Sequence, residues 1–169
     1  MFTYGIFNMP MNIKSVLLKT IVIRPGMFVR DVFTECGECG VHALPYYNKK
    51  GKLSGTLTLK NIMRVSCLPD YMVELSSLLG NQLSCVEHAE EKAREVICNP
   101  VEAYVGKIKQ TIPSTEPLIK ALAIMVKNKT SYIFVVDNNE YKGQLTIQGI
   151  ARAMSSVDRN CIDSDKVKK

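Results

Sequence analysis

Residues 44–64 read LPYYNKKGKLSGTLTLKNIMR, a run that predicts two strands, a tight turn between them and a helix after them. The apolar residues 43–47 suit the first strand, and NKKG at 48–51 suits the turn. Residues 53–59 alternate in a way that predicts the returning strand, and the chain turns helical from Lys60 onward.

The same order of elements recurs further along the chain. Residues 133–136 predict a strand, DNN at 137–139 a turn, and 143–147 a returning strand that leads into helical spacing. When GTLTLKNI at 55–62 is set against GQLTIQGI at 143–150, Gly, Leu, Thr and Ile recur at the same four places. Such self-similarity is the signature of a duplicated structural unit.

The flanking segments complete a helix–strand–helix–strand–strand–helix order in each copy. In the first copy they predict a short helix, a strand and an amphipathic helix that Gly37 and Gly40 end, at residues 11–18, 20–23 and 28–36. In the second copy the equivalent segments are residues 101–105, 110–112 and 118–126. Between the copies we expect one helix from Pro69 to Gly80 and a second, charged helix from the S-x-x-E box at 84–87 to about Ile97.

These patterns divide the chain into five predicted segments. They are an N-terminal extension, a first repeat, a helical linker, a second repeat and a flexible basic tail, at residues 1–12, 13–66, 67–100, 101–156 and 157–169. A copy of ~50 residues buries too little surface to be stable alone, so we expect the two copies to share a core.

Composition narrows the class of protein. The chain has 169 residues, 46% of them apolar, and a net charge of +6, which suits an anionic ligand. No Lys/Arg run interleaves with aromatic residues, so we expect no nucleic-acid partner. No apolar run approaches the ~20 residues of a membrane helix, and the N-terminus lacks the features of an export signal. Six cysteines in such a chain favour a reducing, cytoplasmic location.

The repeated motif resembles the CBS domain, whose tandem pairs form the Bateman module. LPYYN at 44–48 and IFVVD at 133–137 resemble the L-P-V-V-D-like run of that family. Residues 55–61 match its G-h-x-[ST]-x-x-[DN] motif in full, and residues 143–149 match all but the last position. The resemblance covers about 13–154. It implies an α/β (α+β) fold of two tandem CBS repeats, each β-α-β-β-α with a small sheet, packed around a pseudo-twofold axis.

The resemblance also implies a function. CBS pairs bind adenosine-containing ligands such as AMP, ADP or ATP in the clefts between their repeats, and pairs of modules form homodimers. We therefore expect a regulatory, ligand-sensing module that acts on a regulated protein not identified by the sequence. No catalytic constellation is present in the sequence, so we expect neither enzyme activity nor a cofactor.

The candidate site residues follow from residue type and from the match to the motif. A Thr hydroxyl at a strand end and the helix N-terminus after it both offer donors to a phosphate, and Thr58 takes this place in the first copy. Asn61 can hold a ribose hydroxyl, and Lys60 adds a cation. The second copy keeps Thr146 but has Gly149 where the ribose-holding side chain should be. We expect one competent site, in the first copy, and one degenerate site.

By resemblance, the adenine would lie against apolar residues of the strands. The candidates are Ile23, Leu44, Ile112 and Ile133. We expect a homodimer because the apolar faces of helices 28–36, 70–79 and 118–126 exceed what two short sheets can cover.

Three alternatives remain open. Thr58 and Asn61 can serve as helix caps in a dimerisation or interaction module that binds no ligand. Cys36 and Cys39, in a C-x-x-C pair with His42 nearby, can be a redox pair or half of a zinc site, with the other half at 85–88. Cys36 also falls where a helix should present a core residue, so a buried structural thiol is the competing interpretation, and we expect no metal.

Overall fold

The structure is a computed structural model that describes residues 12–67 and 89–156. Contacts divide the chain into two units. Of the described residues, the first-copy unit comprises 20–67, 89–109 and 138–141, and the second-copy unit comprises 12–19, 110–137 and 142–156.

Helices and strands follow the repeated order in both copies. In the first copy they are α1, β1, β2 and α2, followed by α3 and a single 3₁₀ turn, at Val29–Cys39, Ala43–Tyr47, Leu53–Thr58, Leu59–Cys67, Ala89–Ile97 and Val101–Tyr104. A 3₁₀ turn at Ile13–Ser15 precedes α1 in the chain and belongs to the second-copy unit. The second copy consists of β3, α4, β4, β5 and α5, at Thr111–Ile112, Leu118–Lys127, Tyr132–Asp137, Glu140–Thr146 and Ile147–Ser156. The predicted mixed α/β fold with small sheets is confirmed.

The sheet of the first-copy unit is wider than its two named strands. β1 and β2 pair antiparallel, and Ile23 adds a parallel bridge to Tyr46 on the free edge of β1. On the free edge of β2, Gly106 and Thr56 exchange both backbone hydrogen bonds, at 2.9 and 2.8 Å. Four segments of the chain therefore form this sheet.

The second-copy unit repeats this arrangement. β3 runs parallel to β4, and β5 lies on the other side of β4. On the free edge of β5, Leu18 and Gln144 exchange both backbone hydrogen bonds, at 2.9 and 2.8 Å. The Leu18–Gln144 bridge is thus the counterpart of the Gly106–Thr56 bridge.

These two edge segments are exchanged between the copies. Leu18 lies at the start of the first copy in sequence but completes the second-copy sheet, and Gly106 lies at the start of the second copy but completes the first-copy sheet. The predicted repeat boundaries, 13–66 and 101–156, describe the duplicated sequence and stay a prediction. The two contact units differ from these repeats, because each edge segment belongs to the unit whose sheet it completes.

The repeated glycine of the motif makes room for the exchanged segment. A Cβ atom at Gly143 would lie 2.7 Å from the carbonyl oxygen of Leu18, and one at Gly55 would lie 3.1 Å from that of Gly106 and collide with the side chain of Val105. Any side chain at either position therefore displaces the edge segment. The recurrence of glycine in the sequence has this structural cause.

One helix face is also repeated. α1 buries Val29, Val32 and Cys36, and α4 buries its counterparts at the same i, i+3, i+7 spacing, Leu118, Ala121 and Met125. The core of the second-copy unit joins this face of α4 to residues from the 3₁₀ turn, the three strands and α5. Its buried members are Ile13, Ile112, Leu118, Ala121, Met125, Ile133, Val135, Leu145 and Ile150.

Three of the predicted elements were wrong in extent. The helix predicted at 11–18 is one 3₁₀ turn, which the side chain of Asn12 caps by accepting a hydrogen bond from the Ser15 N–H. The strand predicted at 20–23 reduces to the single bridge at Ile23, and the helix predicted at 101–105 is also a 3₁₀ turn. These segments lie at sheet edges, where tertiary contacts override local propensity.

The end of α1 also differs from the prediction. Gly37 does not end the helix, because one internal glycine costs only about 1 kcal/mol relative to alanine and the buried face outweighs that cost. Gly40 does end it, in the left-handed conformation at φ 63°, and its N–H donates to the Cys36 carbonyl.

Some predictions fall on residues that the structure does not describe. The helix at 69–80 and the capping box at 84–87 lie in the gap between the two described ranges, and only the later part of the charged helix is seen, as α3. Among the helices in the two described ranges, none has the length and apolar character required to cross a membrane.

Candidate functional site

The two predicted threonines occupy equivalent positions at the start of a helix. The Thr58 hydroxyl oxygen accepts a hydrogen bond from the Asn61 N–H at 3.1 Å, and the Thr146 hydroxyl oxygen accepts one from the Gly149 N–H at 2.9 Å. Each threonine therefore caps its helix, as one of the alternatives expected. The cap uses only an acceptor lone pair, so each hydroxyl keeps its proton for a further acceptor such as a phosphate oxygen.

The side chain of Asn61 distinguishes the two copies. Its amide nitrogen donates to the main-chain carbonyl of Tyr104 at 3.1 Å. In the second copy the Cβ position of Gly149 lies 3.7 Å from the equivalent carbonyl, that of Val16, and no side chain reaches it. The first-copy unit thus holds a half-buried polar side chain next to Thr58, whereas the second-copy unit has none at that point.

Tyr104 belongs to a small polar network. Its side chain is buried, and its hydroxyl oxygen accepts hydrogen bonds from the Asn99 amide at 2.8 Å and from the Ser66 hydroxyl at 2.9 Å. Sequence reasoning missed these three residues. The hydrogen bond between Tyr104 and Ser66 spans 38 residues, so no local pattern could have indicated it.

The remaining polar candidate, Lys60, lies exposed in the first turn of α2, next to Thr58. There its ammonium group adds positive charge beside the helix N-terminus, which itself attracts anions. Thr58, Lys60 and Asn61 are therefore adjacent, as predicted. Whether they contact a nucleotide stays a prediction.

The predicted adenine contacts form two groups. Ile23 and Leu44 lie in the first-copy unit, and Ile112 and Ile133 lie in the second-copy unit. All four side chains are buried in the cores of their units. Because the side chains pack inward, a base that lies along these segments would meet their backbone first, and their role in binding stays a prediction.

The cysteine pair has the properties of a structural site. Burial, together with the charge of Glu35, raises the pKa of the Cys36 thiol to about 12. Burial and the neighbouring Glu35 also raise the pKa of Cys39, whose thiol donates to a Glu35 carboxylate oxygen at 3.4 Å. Metal binding and disulfide exchange both need the thiolate, which these surroundings disfavour at neutral pH.

The position of Cys36 supports the same interpretation, because Cys36 fills the place on α1 that Met125 fills on α4. Within 12–67 and 89–156, no group of three or more His, Cys, Asp or Glu side chains is placed to hold a metal ion. Cys85 and His88, the other half of the hypothetical zinc site, lie outside the described residues.

Comparison with protein families identifies the second copy. The CBS domain model matches residues 94–156, which span α3 in part, the exchanged segment and all of β3 to α5. Residues 94–156 therefore form a CBS domain. The CBS domain found by that match carries Thr146 and Gly149, and the first copy repeats its order of elements without being part of the match. The sequence matches none of the curated proteins with which it was compared.

Solved structures show that the fold of CBS-domain proteins extends over most of the chain. The CBS domain of a CBS-domain-containing membrane protein from Sphaerobacter thermophilus is similar at a TM-score of 0.61 and 17% identity, over 84% of this chain and 86% of that one. A protein from Methanocaldococcus jannaschii, described as a putative archaeal homolog of g-AMPK, is similar at 0.59 and 24% identity, over 84% of this chain and 47% of that one.

A third solved structure is a CBS-domain pair in complex with 5′-methylthioadenosine and S-adenosyl-L-methionine. It is similar at a TM-score of 0.57 and 18% identity, over 86% of this chain and 96% of that one. The predicted resemblance to the CBS domain is thus confirmed by the family model for residues 94–156, and the solved structures show the fold of CBS-domain proteins over most of the chain.

Proposed function

We propose that this protein senses an adenosine-containing nucleotide of the AMP, ADP or ATP class, and that the competent site is in the first copy. The observation that carries the proposal is the adjacent set of Thr58, Lys60 and Asn61 at the start of α2. The CBS-domain pair solved with two adenosine-containing ligands supports the same ligand class.

Each member of this set has one task in the proposed site. The Thr58 hydroxyl and the N-terminus of α2 donate hydrogen bonds to phosphate oxygens, and Lys60 adds a screened positive charge. Asn61 accepts a hydrogen bond from a ribose hydroxyl. Because Asn61 is uncharged, this bond is weaker than the bond that an Asp at the same position would make. In the second copy Thr146 can still donate a hydrogen bond to a phosphate oxygen, but Gly149 has no side chain to accept one from a ribose hydroxyl.

The proposal predicts a nucleotide-dependent rise in thermal stability. A ligand that binds only the folded state stabilises it by about 2.7 kcal/mol at a hundredfold excess over Kd. For a chain of this length each kcal/mol raises Tm by roughly 2–4 °C. Saturating AMP or ATP should therefore raise Tm by about 5–10 °C in a thermal-shift assay, and GTP distinctly less.

The same assay separates this proposal from its main alternative. A dimerisation or interaction module without a ligand would show no shift with any adenosine compound at millimolar concentration. That result, in protein shown to be folded by circular dichroism, would contradict the nucleotide-sensing proposal. Enzyme activity forms no part of the proposal, because regulation requires only that binding alters a surface read by a regulated protein.

We also propose that the protein is a homodimer. Large apolar side chains are exposed on three helices, namely Met63 and Val65 on α2, Ile119 and Val126 on α4, and Ile147 and Met154 on α5. A second copy that covers such faces removes them from water. Multi-angle light scattering at ~50 µM should give the dimer mass, since a large apolar interface binds tightly, and a monomer mass would contradict this proposal.

The proposed location is the cytoplasm. Cys36, Cys39, Cys67 and Cys98 are all free thiols in the described part of the chain, which suits a reducing compartment.

A further inference from the structure

The Asn61 side chain is held in one orientation before any ligand arrives. Its amide nitrogen donates to the Tyr104 carbonyl at 3.1 Å, and its backbone N–H donates to Thr58. Among the described residues, none donates a hydrogen bond to the amide oxygen of Asn61. The half-buried side chain therefore has its amide oxygen and one amide hydrogen left for a ligand.

The Tyr104 carbonyl is itself fixed by the hydroxyl of the same residue. That hydroxyl accepts hydrogen bonds from Ser66, on α2, and from Asn99, just after α3. The ring is 5% exposed, so packing holds it as well. The 3₁₀ turn that ends at Tyr104 is thus tied to the two neighbouring helices, and its carbonyl has little freedom to move away from Asn61.

From these contacts we propose that Tyr104 is a positioning residue for the nucleotide site, because it fixes the orientation in which the Asn61 amide meets the ribose. This inference rests on the proposed function. Because one N–H of the Asn61 amide is held by the Tyr104 carbonyl, the amide oxygen keeps a fixed direction, in which a ribose hydroxyl can donate to it. A sugar without hydroxyls would not make that hydrogen bond.

The second copy lacks every part of this device. Gly149 has no amide, and Val16, which stands where Tyr104 stands in the first copy, has no hydroxyl with which to tie down its turn. The two copies therefore differ both at the ribose-holding position, Asn61 or Gly149, and at the position of the proposed positioning residue, Tyr104 or Val16. This agreement supports a functional role for Tyr104 over a general requirement of the fold, since the second copy folds without it.

The test compares ATP with 2′,3′-dideoxy-ATP by isothermal titration calorimetry on the full chain. The unaltered protein should prefer ATP several-fold. Tyr104→Phe keeps the buried ring and the main-chain carbonyl but removes the tie, so it should lower the affinity for ATP by about two- to tenfold. It should leave the affinity for dideoxy-ATP unchanged within twofold, so that the preference for ATP falls toward one.

A matched control is available in the same unit. Tyr47→Phe also removes a tyrosine hydroxyl that accepts a hydrogen bond, in this case from the Tyr141 N–H at 2.9 Å, but it does not contact Asn61. It should leave the preference for ATP over dideoxy-ATP as in the unaltered protein. If Tyr104→Phe does not fold, Ser66→Ala removes one of the two ties and is measured in its place.

The outcomes separate this inference from the proposed function. If the unaltered protein binds ATP and dideoxy-ATP equally, or if Tyr104→Phe weakens both ligands by the same factor, the positioning role is wrong while nucleotide sensing stands. If the unaltered protein binds no adenine nucleotide, nucleotide sensing is wrong and the positioning role is lost with it. A preference for ATP that is lost in Tyr104→Phe and kept in Tyr47→Phe supports both.

Discussion

Replacing Gly143 by alanine is expected to lower the free energy of unfolding by about 2–4 kcal/mol. The new Cβ atom would lie 2.7 Å from the Leu18 carbonyl oxygen and 2.8 Å from Cγ of Leu17. A backbone carbonyl cannot rotate away as a side chain can. The φ of Gly143, +150°, adds backbone strain for any residue with a Cβ atom.

The loss of stability arises from displacement of the edge segment that contains Leu18. If Leu18 moves away, the two hydrogen bonds that it shares with Gln144 are lost, and Ile13, which is fully buried in the second-copy core, is displaced with it. The measurement is the melting temperature by calorimetry. A loss of this size should lower it by about 5–15 °C in a chain of this length.

Gly37→Ala provides the matched control. This glycine lies inside α1, and a Cβ atom there would meet nothing within 4 Å. The substitution should raise stability by about 0.5–1 kcal/mol, because alanine is the better helix former. Equal melting temperatures for the two variants would show that Leu18 does not approach Gly143 as closely as the structure indicates.

Asn61→Ala is expected to lower the affinity for AMP or ATP by roughly 5- to 100-fold, because a hydrogen bond to a buried ligand group is worth about 1–3 kcal/mol when its partner is left unsatisfied. It also removes the hydrogen bond to the Tyr104 carbonyl, so the ligand-free protein should lose about 1 kcal/mol of stability. The affinity is measured by calorimetric titration, which separates the two effects.

The two threonines supply the control for this prediction. Thr58→Ala and Thr146→Ala each remove a helix cap with the same geometry and should each cost about 1 kcal/mol of stability. Thr58→Ala should weaken nucleotide binding more than Thr146→Ala does, because Gly149 leaves the second copy without a side chain for the ribose. If Thr146→Ala abolishes binding while Asn61→Ala leaves it intact, the competent site lies in the second copy and our assignment is wrong.

How much of the candidate site could be predicted depends on the range of its contacts. Thr58, Lys60 and Asn61 lie within one turn of the chain, so the motif alone indicated them, and the structure shows a hydrogen bond from the Asn61 N–H to Thr58. Tyr104 approaches Asn61 from 43 residues away. The residues next to Tyr104 in the sequence indicate only a tyrosine that packs in the core, and nothing in them points to the contact with Asn61.

For Cys36 the sequence left two interpretations open, and the structure favours one. A C-x-x-C pair is compatible with metal, redox and core roles alike. Burial on the inner face of α1 raises the pKa of the Cys36 thiol well above its usual range and places Cys36 where the second copy has Met125. Burial is a property of the packed chain and cannot be calculated from the pair itself.

The sequence by itself determined the duplication, the order of strands and helices, and the inner faces of α1 and α4. Each of these depends on residues a few positions apart, whose spacing follows the geometry of a strand or helix. Tertiary structure alone decided which sheet each edge segment joins. Residues 13–19 begin the first copy yet complete the second-copy sheet, and residues 101–109 begin the second copy yet complete the first-copy sheet. A lone backbone bridge such as Leu18–Gln144 has no side-chain pattern, and its only trace in the sequence is the glycine that makes room for it.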